Sequence, residues 1–281
     1  MDWLTDPFSL AFLQRALVAG SLAAATCALV GIWVVLRGLA FMGDALAHGV
    51  LPGIAVAHVA GGNTTVGAAV SALVMVGGVN YVQRRSRLPE DTGIGLLFVG
   101  MLGLGVIIIS RAGSYFGDLV SFLFGAVLGV SAGDIAIQAG ALAVALTATV
   151  VLYRPLLVLA FDERKAQVLG LRPRLTRIVL LVLVALAVVS SFRAVGSLLV
   201  FALLIAPPAT ASLLVRRVPA MMLVGVAVGV LAVLVGLLVS YHYDLAAGAA
   251  IATTAVAQFF VVLLARDAAA AVRARTAATA G

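Results

Sequence analysis

Apolar stretches long enough to cross a bilayer follow one another along nearly the whole chain, and nothing else constrains its fold as strongly. They fall near residues 16 to 36, 38 to 60, 64 to 82, 92 to 110, 135 to 153, 175 to 192, 194 to 215, 220 to 240 and 245 to 265. A helical crossing takes about 20 residues, and in hydrocarbon the backbone polar groups must be satisfied within the segment itself, which selects helices. The expected fold class is all-α: a polytopic membrane helix bundle with 8–9 transmembrane helices, residues 1–281 forming a single domain. Residues 112 to 133 carry Gly113, Gly117, Asp118, Gly125 and Gly129 within an apolar run, so the sequence leaves open whether they cross.

Composition agrees. Hydrophobic residues make up 64% of the chain and charged residues 10%, against about 25% charged in a soluble domain. The net charge of +7 does not point to nucleic acid, because the basic residues sit in short clusters between apolar runs. Arg84, Arg85 and Arg87 form one cluster, Arg154 to Arg177 a second, Arg216 and Arg217 a third, and Arg266, Arg273 and Arg275 a fourth. Positive loops face the cytoplasm, which predicts a multi-pass protein with a cytoplasmic C-terminus. Residues 1–10 read as an N-terminal segment without a basic signal-like start, 155–176 as a cytoplasmic loop, and 267–281 as a flexible, alanine-rich tail. Cys27 reads as packing within the first span.

Ionisable groups inside spans are costly enough to be functional candidates by default. Asp44 and His48 lie in the second apolar segment, RGLAFMGDALAHGVLPGIAVA. Four residues apart on a helix, they share one face, and a carboxylate with an imidazole suits zinc, manganese or iron(II). Two ligands do not close a cage, which fits an ion held in transit rather than a resident cofactor. Pro52 withholds the donor for the His48 carbonyl and predicts a kink beside the pair, while Gly43, Gly49 and Gly53 permit close approach of other helices. An Asp and His that merely bond each other remain the alternative. Weaker metal candidates are His58 near the end of the same segment, and His242 with Asp244 in the turn SYHYD.

In the seventh segment, Pro207 and Pro208 predict a helix break, with gating as its functional reading and packing as its structural one. The polar connection RPLLVLAFDERKAQVLGLRPRLTR predicts a short amphipathic helix from Asp162 to Leu169, stopped at Gly170. Such a loop is a candidate docking element for a soluble protein. The chain contains no phosphate-binding loop, HExxH pair or GxSxG elbow, so no catalytic site is expected.

RGLAFMGDALAHGVLPGIAVA at 37 to 57, EDTGIGLLFVGMLGLGVIIIS at 90 to 110, FDERKAQVLGLRPRLT at 161 to 176 and AVGSLLVFALLIAPPATA at 194 to 211 together resemble the permeases of zinc and manganese ABC importers. The resemblance implies a type II ABC importer-like fold in a bacterial cytoplasmic membrane, moving Zn2+ or Mn2+ inward by alternating access, with zinc the first choice. It implies a homodimer, a cytoplasmic ABC ATPase dimer coupled through Asp162, Glu163, Arg164 and Gly170, and an extracytoplasmic metal-binding protein. Asp44 and His48 match the family's ion pathway; Ala47 and the doubled Pro207-Pro208 depart from its usual pattern. Alternatives are an ion-coupled secondary carrier, a permease for a metal chelate, and a membrane metalloenzyme.

Overall fold

The computed structural model describes residues 9–85, 90–110, 129–161 and 163–279. These form α1 (Ala11–Leu36), α2 (Ala40–Gly49), α3 (Leu51–Val59), α4 (Thr64–Arg85), α5 (Glu90–Ser110), α6 (Ala132–Val151), α7 (Tyr153–Phe161), α8 (Glu163–Val168), α9 (Pro173–Leu214), α10 (Val218–Tyr243) and α11 (Ala247–Thr279). Among the described residues, nine helical stretches are long and apolar enough to cross a membrane, with α2 and α3 counted together and α9 counted twice. The described residues thus reach the upper of the two expected span numbers, while 111–128, most of the stretch whose crossing the sequence leaves open, lie outside them.

The middle of the bundle is α1, which packs against α6, α9 and α10. Water does not drive helices together inside a membrane, so close packing must do so, and small residues allow it. On α1 the small side chains recur every turn. Gly20 lies against Val233, Ala24 against Gly229 and Ala28 against Gly225. Each step forward of about one turn on α1 is a matching step back on α10, as expected for antiparallel helices meeting along their i±4 ridges. Cys27 is buried in this helix, as its sequence context suggests.

The helix break expected at Pro207 and Pro208 is not there. Helical backbone runs through both prolines, and the non-helical residue in α9 is Gly196, with φ 77° and ψ 163°. That combination belongs to a region that only glycine enters readily. Gly196 splits α9 into two spans, Pro173–Phe192 and Val195–Leu214. The prolines are tolerated because neighbouring helices fit around them. Pro208 withholds an amide from the Leu204 carbonyl, and that oxygen abuts Gly31 of α1 so closely that any β-carbon there would overlap it. Pro207 rests near Gly229 of α10.

Near Pro52, where a kink is expected, one residue separates two helices, and that residue, Val50, keeps helical backbone, φ −78° and ψ −17°. α2 ends at Gly49, Val50 intervenes, and Pro52 occupies the first turn of α3, where a proline lacks no needed donor. The last helix, α11, continues to Thr279, so the expected C-terminal tail is helical over its described part.

Candidate metal site

Phe41, Asp44 and His48 follow one another at spacings of three and four along α2, which places them on a common face. Asp44 and His48 are both half-buried, their side chains 26% and 22% exposed. His48 Nδ1 lies 3.3 Å from Asp44 Oδ1 and 3.2 Å from the Asp44 backbone carbonyl. Both neighbours of that nitrogen are acceptors, so in the neutral ring Nδ1 carries the proton and donates, which leaves the lone pair on Nε2.

A further wall of the site comes from α5. The ring of Phe98 meets His48 edge to face, with centroids 5.7 Å apart and planes at 86°. Phe41 meets the same ring at 5.7 Å and 70°. Sequence reasoning did not single out either phenylalanine. The spacing of Phe41 from the two polar residues was an available signal, whereas Phe98 was one apolar residue within an apolar run.

The glycines around the pair permit close helix contacts. Gly43 lies against the Leu204 side chain of α9, and Gly49 against Met75 of α4. Gly53 of α3 and Gly67 of α4 meet backbone to backbone, leaving room for no β-carbon on either. At the interruption itself, Ser71 of α4 donates its hydroxyl to the Gly49 carbonyl at 2.8 Å.

The other candidate ligands do not join the pair. Among the described residues there is no group of three or more histidines, cysteines, aspartates or glutamates able to hold a metal ion. His58 is exposed in the last turn of α3, about 15 Å of helix beyond His48 at the standard rise. The His242 ring nitrogen Nδ1 is 2.9 Å from the Leu238 carbonyl, and Asp244 adopts the left-handed conformation, φ 51°, that caps α10.

The connection after α6 forms α7 and α8. Gly170, with φ 69°, ends α8 as expected: its amide donates to the Gln167 carbonyl and that of Leu171 to Ala166, the paired bonds of a Schellman motif. Asp162 lies outside the described residues, as do the side chains of Glu163 and Arg164. Val168 is 88% exposed, and Phe161 and Leu169 are exposed beside it.

The profile of the ABC 3 transport family matches residues 9–266. The chain belongs to that family. It is 38% identical over 265 residues to the "Probable iron transport system membrane protein" of Haemophilus influenzae, covering 94% of this chain and 97% of that protein. It is 37% identical over 247 residues to the "Manganese transport system membrane protein MntC" of Halalkalibacterium halodurans, covering 88% and 85%. The "Chelated iron transport system membrane protein YfeD" of Yersinia pestis is 36% identical over 261 residues, covering 93% and 87%. Among solved structures, the chain superimposes with a TM-score of 0.82 on "PsaBC from Streptococcus pneumoniae in complex with Fab", at 33% identity and 93% and 94% coverage. This member of the ABC 3 family is thus a multi-span membrane permease of an ABC transport system.

Proposed function

We propose that the chain is the membrane-spanning subunit of an ATP-driven importer that carries manganese(II), in preference to zinc(II), into the bacterial cytoplasm. The observation that carries the reading is the Asp44–His48 pair, half-buried one turn apart beside the helix interruption at Val50. Carboxylate and imidazole with no thiolate suit manganese or iron(II). Relatives named for manganese and iron support that ordering over the zinc-first expectation. The pair supplies too few ligands for a resident metal. It suits an ion that must leave again. A second copy of the chain, related by a two-fold axis, would bring a second pair to the same ion.

Arginine placement orients the bundle. With Arg84 and Arg85, Arg154, Arg216 and Arg217, and Arg266 on the cytoplasmic side, nine crossings put Ala11 outside and the end of α11 inside. Ser110 and Ala132 then both lie on the outer side. His48 lies eight residues into its span from the cytoplasmic end, about 12 Å at the standard rise.

ATP hydrolysis belongs to a separate cytoplasmic ATPase dimer, and the exposed apolar residues Phe161, Val168 and Leu169 beside Gly170 offer its docking surface. An extracytoplasmic metal-binding protein delivers the ion to the outer face. The test is uptake of manganese(II) and zinc(II) by the chain reconstituted with and without its ATPase. ATP-dependent manganese uptake supports the reading. Uptake without the ATPase would make the chain a secondary carrier, and uptake of chelates alone would change the cargo.

A further inference from the structure

His48 is held by groups of two different kinds. On one side, Nδ1 faces two acceptors of Asp44 at 3.2 and 3.3 Å. Those bonds orient the ring, but at 3.2 and 3.3 Å they are long and leave it some libration about χ2, a broad rotor. The second restraint is the edge-to-face contact with Phe98, whose ring comes from α5. The 5.7 Å separation and 86° angle lie within the favourable range for aromatic pairs. Phe98 is in turn wedged against Phe41, which comes from the same helix as His48. The three rings therefore tie α2 to α5 at the level of the imidazole.

We propose that Phe98 is a positioning residue for the transported ion: it fixes the rotation of the His48 ring so that Nε2, the nitrogen with the free lone pair, serves as the ligand while Asp44 holds Nδ1. This rests on the reading of His48 as an ion ligand, and it divides the labour of the pair. His48 supplies the nitrogen to the ion, and Asp44, at the other edge of the ring, orients that nitrogen as its outer partner. Metal-bound histidines commonly donate their other N–H to a carboxylate or a backbone carbonyl, and loss of such an outer partner costs 10- to 100-fold in metal affinity. An aromatic stop on ring rotation acts by the same route. Ligand geometry must be held to within about 10–20° for full affinity.

The test uses the complete importer, this chain with its ATPase, reconstituted in liposomes and supplied with manganese(II). Phe98→Leu keeps the apolar bulk and removes the flat ring. The expected result is an apparent KM for manganese raised about 10-fold at retained Vmax. The nitrogen coupling of one imidazole in the pulsed EPR signal of bound manganese should weaken or vanish. Phe98→Tyr, which restores a ring, should restore both. Unchanged KM and nitrogen coupling in Phe98→Leu overturn the proposal. If Phe98→Leu does not fold, Phe98→Met is judged by the same two readouts. His48→Ala separates this inference from the one beneath it. If that variant keeps wild-type uptake and nitrogen coupling, the ligand assignment fails. If it loses both while Phe98→Leu loses neither, only the positioning role fails.

Discussion

Ser71 of α4 donates its hydroxyl to the carbonyl of Gly49 across the packed faces of two helices, 2.8 Å away, at the point where the second membrane segment is interrupted. Ser71 is nearly inaccessible, so the interruption is fixed from outside its own helix. Replacing it with alanine removes a buried hydrogen bond and leaves the Gly49 carbonyl short of one donor. A loss of about 1 kcal/mol is expected, measured as a lowered thermal midpoint of the purified protein in detergent. A midpoint equal to wild type would show that the break is held by Pro52 and helix packing alone.

Truncating the ion pair should spare the fold and remove transport. Both side chains are half-exposed, so His48→Ala and Asp44→Asn should leave expression and thermal midpoint close to wild type. ATP-driven manganese uptake is expected to fall at least 10-fold in each. Uptake at wild-type rates in both variants, at equal protein level, would remove this pair from the ion's route.

Gly31→Ala sets a methyl group against the Leu204 carbonyl, a backbone atom unable to swing aside. Overpacking of this sort costs about 1–3 kcal/mol. The prediction is a lower thermal midpoint with manganese KM unchanged in the protein that remains folded, measured by unfolding and uptake on the same preparation.

Gly196→Ala tests the break in α9. The φ of 77° with ψ of 163° is strained for any side chain, and a cost of about 1–3 kcal/mol is expected. Pro207→Ala, by contrast, should meet no backbone strain, because the backbone is already helical there. Comparing the two midpoints locates the break experimentally.

Val168→Asp and Leu169→Asp place charge on side chains that touch little of their own chain. Stability should shift by no more than about 0.5 kcal/mol. Copurification of the ATPase is expected to fall sharply, since a carboxylate would meet an apolar partner surface. Normal recovery of the ATPase with both variants would relocate its docking surface.

The spans, their arginine-marked ends and the Asp44–His48 pair were legible because each depends on local facts: hydropathy over twenty residues, or two side chains a turn apart. The Gly170 stop was legible for the same reason. The division between the spans ending at 192 and beginning at 194 was legible too, but Gly196 as its pivot was not, since a chain with 29 glycines offers many candidates. What disarmed Pro208 is a tertiary fact, the flat face of Gly31 against the carbonyl that the proline leaves without its usual amide. Phe98 was hidden similarly, because an aromatic residue in a lipid-soluble helix gains meaning only when its opposite number is known.

The two parts of the second membrane segment share two supports and differ in a third. Gly49 of α2 and Gly53 of α3 both pack on α4, and both parts pack on α5, but it is α2 whose Gly43 leans on Leu204 of α9. A shift of α9 relative to α4 and α5 would act on α2, the part that carries the imidazole. Mechanical work delivered to the helices would thus reach the cargo's holder as a change of aim.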